Sequence, residues 1–146
     1  YWGNNRVVLT GNDVPYCNCK LGPAAPPIKT SEGWLTTLHA VYKDQDDRLK
    51  GWEPHGWFKR YIAGIMLLDL EEPWKVRGIC RKPLLFPEAD YELEGFRGSV
   101  IFPGGMILED SGEVKIYYGA ADTYVALATA NVDDLIKACL GDNAFD

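Results

Sequence analysis

Phe102 to Asp122, FPGGMILEDSGEVKIYYGAAD, repeats a pattern first met at Ala25 to Val41, APPIKTSEGWLTTLHAV. Each copy opens on an apolar segment led by Pro or Gly, passes through a polar turn that closes on Gly33 or Gly112, and continues as a strand of alternating character. A further apolar segment follows each one, YIAGIMLLDL at Tyr61 to Leu70 and TYVALATANV at Thr123 to Val132. A unit of strands that returns after roughly 60 to 80 residues is the mark of a blade, so the expected fold is all-β, a β-propeller. Function then rests on the side chains that reach the central channel.

Outward from the repeat, Arg6 to Gly11 (RVVLTG) reads as the final strand of an earlier unit. A four-strand unit from about Ala25 to Phe86 and a three-strand unit from about Val100 to Asn131 come next. A short helix closes the pattern, with apolar Val132, Leu135, Ile136, Cys139 and Leu140 on one face, Asp133 and Asp134 in the first turn and Gly141 just beyond. The boundaries expected are 1–22 for the end of a preceding blade, 23–88 for one blade, and 89–146 for most of the final blade and the C-terminal helix. Propellers have about four blades or more. The chain opens on Tyr1 with neither an initiator Met nor a secretory segment. The expectation is therefore the C-terminal part of a longer protein.

Composition narrows the partners. A formal charge of −6 with no basic run argues against nucleic acid, and no apolar stretch approaches the roughly 18 residues of a membrane span. Five Trp and eight Tyr suit a carbohydrate cleft, where sugar C–H faces pack on rings, and equally suit packing between blades. Cys17 and Cys19 form a C-x-C pair, but no second pair or histidine cluster accompanies them, so no metal site is expected. With Cys80 and Cys139 they read as reduced thiols, which fits a reducing, cytoplasmic compartment.

The segments LGPAAPPIKTSEGWLTTLHAV, IAGIMLLDLEEPWKV and SVIFPGGMILEDSGEVKIYYGAADTYVALATANVDDLIKAC resemble the C-terminal half of glycoside hydrolase family 130, the β-mannoside phosphorylases and β-mannosidases. P-P-I-K-T followed by E-G-W-L, then L-L-D-L-x-x-P-x-K-V and Y-Y-G-A-A-D, occur in the family's order and spacing over nearly the whole chain apart from Tyr42 to Arg60. The resemblance implies a five-bladed propeller, of which this chain supplies roughly the last two blades. It also implies inverting phosphorolysis of β-linked mannosides to mannose 1-phosphate. An Asp in the N-terminal half is the family's proton donor, so no catalytic residue is expected in this chain, which alone is expected to be inactive. Inorganic phosphate is then a co-substrate and no cofactor is implied. A β-mannoside oligosaccharide and the remaining blades are the expected partners, with a homo-oligomer also compatible.

Residue by residue, the resemblance assigns phosphate to Lys29 in P-P-I-K-T and to His39, which stands in L-H-A where relatives read Y-H-G. A fixed ammonium suits phosphate, an anion that attacks well only when oriented. A histidine on an apolar strand can equally be a satisfied core residue. Tyr61 and Asp122 match sugar-binding positions, the carboxylate accepting hydrogen bonds from a pair of hydroxyls. Ser99, after Gly98, replaces the Asn of the relatives' Pro-Asn and leaves the acceptor sugar open. Tyr117 and Tyr118 alternate in direction, so one of them at most lines the channel. The charged segment Tyr42 to Arg60 carries Trp52, His55 and Trp57 and is either a solvated excursion or a lid bearing the two tryptophans. Besides phosphorolysis, an inverting β-mannosidase that uses water and an inactive sugar-binding fragment remain open.

Overall fold

A computed structural model describes residues 2–43 and 59–141. The expectations for Trp52, Trp57 and His55 lie outside the described residues. The chain is mostly strand, in two sheets. The first contains β1 (Lys20–Pro23), β2 (Ile28–Lys29), β3 (Trp34–Lys43), β4 (Lys59–Leu68) and β5 (Val76–Ile79), in the order β1-β3-β4-β5 with β2 also paired to β3. The second is β6 (Ile101–Leu108), β7 (Glu113–Ala120) and β8 (Tyr124–Asn131) in chain order. A four-residue helix α1 (Asp90–Leu93) precedes the second sheet, and α2 (Val132–Leu140) ends the described chain.

The two copies of the repeat are the β2–β3 and β6–β7 hairpins. Gly112 holds φ at 84°, the left-handed region a side chain resists. A Cβ on Gly33 would come within 2.3 Å of the Leu68 carbonyl oxygen, so its turn closes only without one. Between β1 and β2 the edge of the first sheet is interrupted, because Pro26 and Pro27 have no N–H for a ladder. The Thr36 and Thr37 hydroxyls stand in. Thr36 Oγ1 donates to the Ala25 carbonyl at 2.8 Å, and Thr37 Oγ1 accepts from the Ala25 N–H at 3.0 Å.

Strand alternation then builds the core. Leu35, Ile65 and Leu67 on one face of the first sheet meet Met106, Val114 and Ile116 of the second, with Leu135, Ile136 and Cys139 of α2 closing the end. Each such side chain contributes about 1.5–3 kcal/mol on leaving water. The opposite face of the first sheet, with Leu38, Ala40 and Ile62, packs on Val14 and Tyr16. On the outer face of the second sheet Ile107, Tyr117, Val125 and Leu127 are 40–83% exposed.

Helix α2 stands where expected, with Leu135, Ile136 and Cys139 buried; its cap, which was not among the expectations, is Asn131, whose side chain accepts from the Asp133 N–H at 2.9 Å. Two expectations differ. Arg6 to Gly11 is not a strand among the described residues, and Val7 is 82% exposed, so no neighbouring ladder draws it in. Lys20 to Gly22, expected at the end of a preceding unit, pair with Val41, Ala40 and His39 of β3, which moves the start of the first sheet back to Lys20. All four cysteines are unpaired, and burial pushes the Cys139 thiol up to about 12. No described helix is long and apolar enough to cross a membrane.

Candidate active site

Chemistry gathers where β1, β3, β4 and β6 meet at one end of the two sheets. The register sets two rows across the first sheet, Lys20–Val41–Tyr61 and Gly22–His39–Ala63, and alternation sends both rows to the same face. Lys20 Nζ stands 5.2 Å from the Tyr61 ring centroid, and the His39 ring stacks on Tyr61 at 6.2 Å and leans on Phe102 at 4.5 Å. Tyr61 is buried and His39 half-buried, while Lys20 is exposed. The corner thus sets the Lys20 ammonium and the His39 imidazole against an aromatic wall.

The state of His39 follows from its partner. Its Nδ1 lies 3.1 Å from the Pro23 carbonyl oxygen, which can only accept, so Nδ1 carries the hydrogen and Nε2 of the neutral ring is an acceptor. Burial is the main reason its pKa is lowered; the Lys20 charge adds to that, and the Pro23 contact opposes it. Neutral imidazole therefore dominates near pH 7.

Lys29 does not join this corner. It pairs with Trp34, five residues before His39 on β3, or about 17 Å away along the strand. It shares the strand face of Trp34, opposite to that of His39, and its Nζ lies 5.7 Å from the Trp34 ring centroid. The place beside His39 belongs to Lys20, a residue that precedes the Pro-rich motif and that the motif therefore does not single out. The β1–β3 register, which sets Gly22 opposite His39 and Lys20 one row along the same face, is what finds it.

Tyr61, Ser99 and Asp122 are brought together through the backbone. The Ser99 carbonyl accepts from the Tyr61 N–H at 3.0 Å, and the Val100 carbonyl accepts from the Ala121 N–H at 2.9 Å. Ser99, Ala121 and Asp122 all have left-handed backbones, with φ of 57°, 50° and 51°. Such conformations in residues other than Gly cost roughly 1–2 kcal/mol each and gather at functional sites. Asp122 sits exposed at the tip of the β7–β8 turn, and no described residue donates to its carboxylate. Replacing Ser99 by Gly should raise unfolding stability by about 1 kcal/mol, because the backbone strain goes and the side chain has no hydrogen bond to lose among the described residues. Urea unfolding of both forms measures it, and an unchanged or lower stability would contradict the strain.

A buried carboxylate ties α1 to β7 beside this turn. Glu92 in α1, 6% exposed, accepts from the Glu88 and Ala89 N–H groups at 2.9 Å each and from the Tyr118 hydroxyl at 2.7 Å. Burial opposes its charge, but the donations from Glu88, Tyr118 and Ala89 outweigh it and lower the pKa. Tyr118 points inward and Tyr117 outward, as alternation requires. Among the described residues no group of three or more His, Cys, Asp or Glu side chains is placed to hold a metal.

Comparison with known proteins bears on this corner. The family profile described as beta-1,4-mannooligosaccharide phosphorylase matches residues 1–140. The chain belongs to glycoside hydrolase family 130. A family 130 relative, the beta-1,4-mannooligosaccharide phosphorylase of Ruminococcus albus, is 36% identical over 137 residues, covering 93% of this chain and 37% of its own. The 1,2-beta-oligomannan phosphorylase of a Thermoanaerobacter species is 32% identical, covering 92% of this chain and 40% of its own. Among solved structures, the beta-1,2-mannobiose phosphorylase of Listeria innocua in complex with beta-1,2-mannobiose aligns with a TM-score of 0.69 at 34% identity, over 85% of this chain and 31% of that one. The chain spans about a third of the length of these relatives.

Proposed function

We propose that the complete protein to which this chain belongs cleaves β-linked mannosides by phosphorolysis, releasing mannose 1-phosphate and a shortened acceptor with inversion, and that Lys20, His39 and Tyr61 hold the phosphate. The observation that carries the reading is the ammonium of Lys20 beside half-buried His39 at one sheet end. Phosphate near neutral pH carries between one and two negative charges, so a nearby cation fixes it and an aromatic wall limits its directions of approach. The glycosidic oxygen takes its proton from an acid supplied by the rest of the protein. Ser99 and Asp122 face the sugar, the carboxylate accepting from paired hydroxyls.

The architecture proposed is a five-bladed propeller, with the two sheets as neighbouring blades and the exposed Ile107, Tyr117, Val125 and Leu127 face covered by a further blade. The three relatives described above, phosphorylases that act on mannosides, support the reaction class.

The test is initial rate against phosphate concentration at fixed β-mannoside, with mannose 1-phosphate and free mannose quantified separately. Mannose 1-phosphate should be the main sugar product, with a rate that rises with phosphate. Free mannose alone, at a rate independent of phosphate, would replace phosphorolysis by hydrolysis.

A further inference from the structure

His39 is seated rather than simply exposed. Gly22 lies directly opposite it in the β1–β3 register, with Ala63 on the other flank. The imidazole lies over the Gly22 backbone so closely that a Cβ there would stand 2.3 Å from Cε1 and 2.8 Å from Nε2. Only a residue without a side chain leaves that space, and the next residue, Pro23, supplies the carbonyl that receives Nδ1–H at 3.1 Å. Phe102 and Tyr61 hold the ring from the side. Lys20 is the charged group that faces the ring from β1, and Tyr61 the titratable one from β4.

We infer that Gly22 and Pro23 are positioning residues that fix His39 with Nδ1 as donor to the backbone and Nε2 as acceptor, so that the site takes a phosphate through one of its protonated oxygens. The inference rests on the phosphorolysis reading and deepens it by naming the form of the anion. Inorganic phosphate near neutral pH retains a proton on at least one oxygen; sulfate, of the same shape, has none. A neutral imidazole with its one hydrogen spent on Pro23 can accept the P–O–H hydrogen and has nothing to give sulfate. Lys20 serves either anion. The discrimination therefore resides in His39 and in what holds it.

The experiment is titration calorimetry of the complete protein at pH 7, without mannoside, using inorganic phosphate and inorganic sulfate as probes. Phosphate should bind at least about tenfold more tightly, the loss expected when one hydrogen bond to an ion is missing. Gly22→Ala should weaken phosphate by about tenfold, leave sulfate within about threefold, and so bring the ratio close to one, while KM for the mannoside stays put. Gly104→Ala is the control, since a Cβ there meets nothing within 4 Å, and it should keep the full ratio. Equal affinities for the two anions in the unmodified protein would overturn the inference, even if Gly22→Ala does not fold. A well-folded Gly22→Ala with an unchanged ratio would overturn it too. Mannoside cleavage with no phosphate binding of any kind would instead remove the phosphorolysis reading beneath it.

Discussion

Lys20→Ala in the complete protein is expected to lower kcat/KM for phosphate by about 10- to 150-fold, the equivalent of a charge-assisted contact of roughly 1.5–3 kcal/mol. Binding of the mannoside should change much less, because the Lys20 ammonium matches the charge of the anion and the sugar carries none. Lys20→Arg keeps the charge but changes its shape and reach, and should recover only part of the activity. Lys29→Ala removes an exposed contact with the Trp34 ring, worth about 0.5–1 kcal/mol, and should leave phosphate kinetics within about threefold. The comparison is steady-state kinetics with phosphate varied at saturating mannoside. If Lys29→Ala were the damaging change and Lys20→Ala the mild one, the assignment of the anion to the β1 corner would be wrong.

Glu92→Ala should be the most destabilising single change near the site. It leaves the Glu88 and Ala89 N–H groups without their acceptor and the Tyr118 hydroxyl with the Tyr91 hydroxyl at 3.4 Å as its remaining partner, and each buried donor so orphaned costs about 1–3 kcal/mol. Glu88 is exposed and can turn to water, so the expected loss is about 2–4 kcal/mol in urea unfolding. The pH dependence follows from the sign of the shift. The folded-state pKa of Glu92 is lowered, so its contribution is complete above the ordinary value of 4.5 and is lost as pH falls through the lower folded value. The unmodified protein should therefore lose stability in that acid window, and Glu92→Gln should flatten the loss. A Glu92→Ala variant as stable as the parent would show that the carboxylate does not hold the α1 segment.

The parts of the fold that could be read from sequence are those encoded locally. Gly33 and Gly112 mark hairpin turns because of what a Cβ would meet or what φ the chain needs there, and Asp133 and Asp134 in the first turn with Gly141 just beyond mark the two ends of α2. Tyr117 and Tyr118 separate by alternation alone. What could not be read depended on long-range register. Two lysines flank the Pro-rich stretch, and only the pairing of Gly22 with His39 decides that Lys20 and not Lys29 shares the imidazole's face. The break at Pro26 and Pro27 hides the fact that β1 and β2 lie along the same strand. Helix α1 is four residues long, too short for a periodic signal, and the role of Glu92 depends on Tyr118, 26 positions away. The left-handed backbone of Ser99 and its carbonyl contact to Tyr61 emerge only with the sheets packed.

The most direct test of the phosphate corner is a crystal structure of the complete protein soaked with inorganic phosphate. Phosphate density should lie within hydrogen-bonding distance, about 2.7–3.2 Å, of both Lys20 Nζ and His39 Nε2, on the side of the ring away from Pro23. Phosphate bound at Lys29 beside Trp34, with the corner of Lys20, His39 and Tyr61 holding none, would contradict the account.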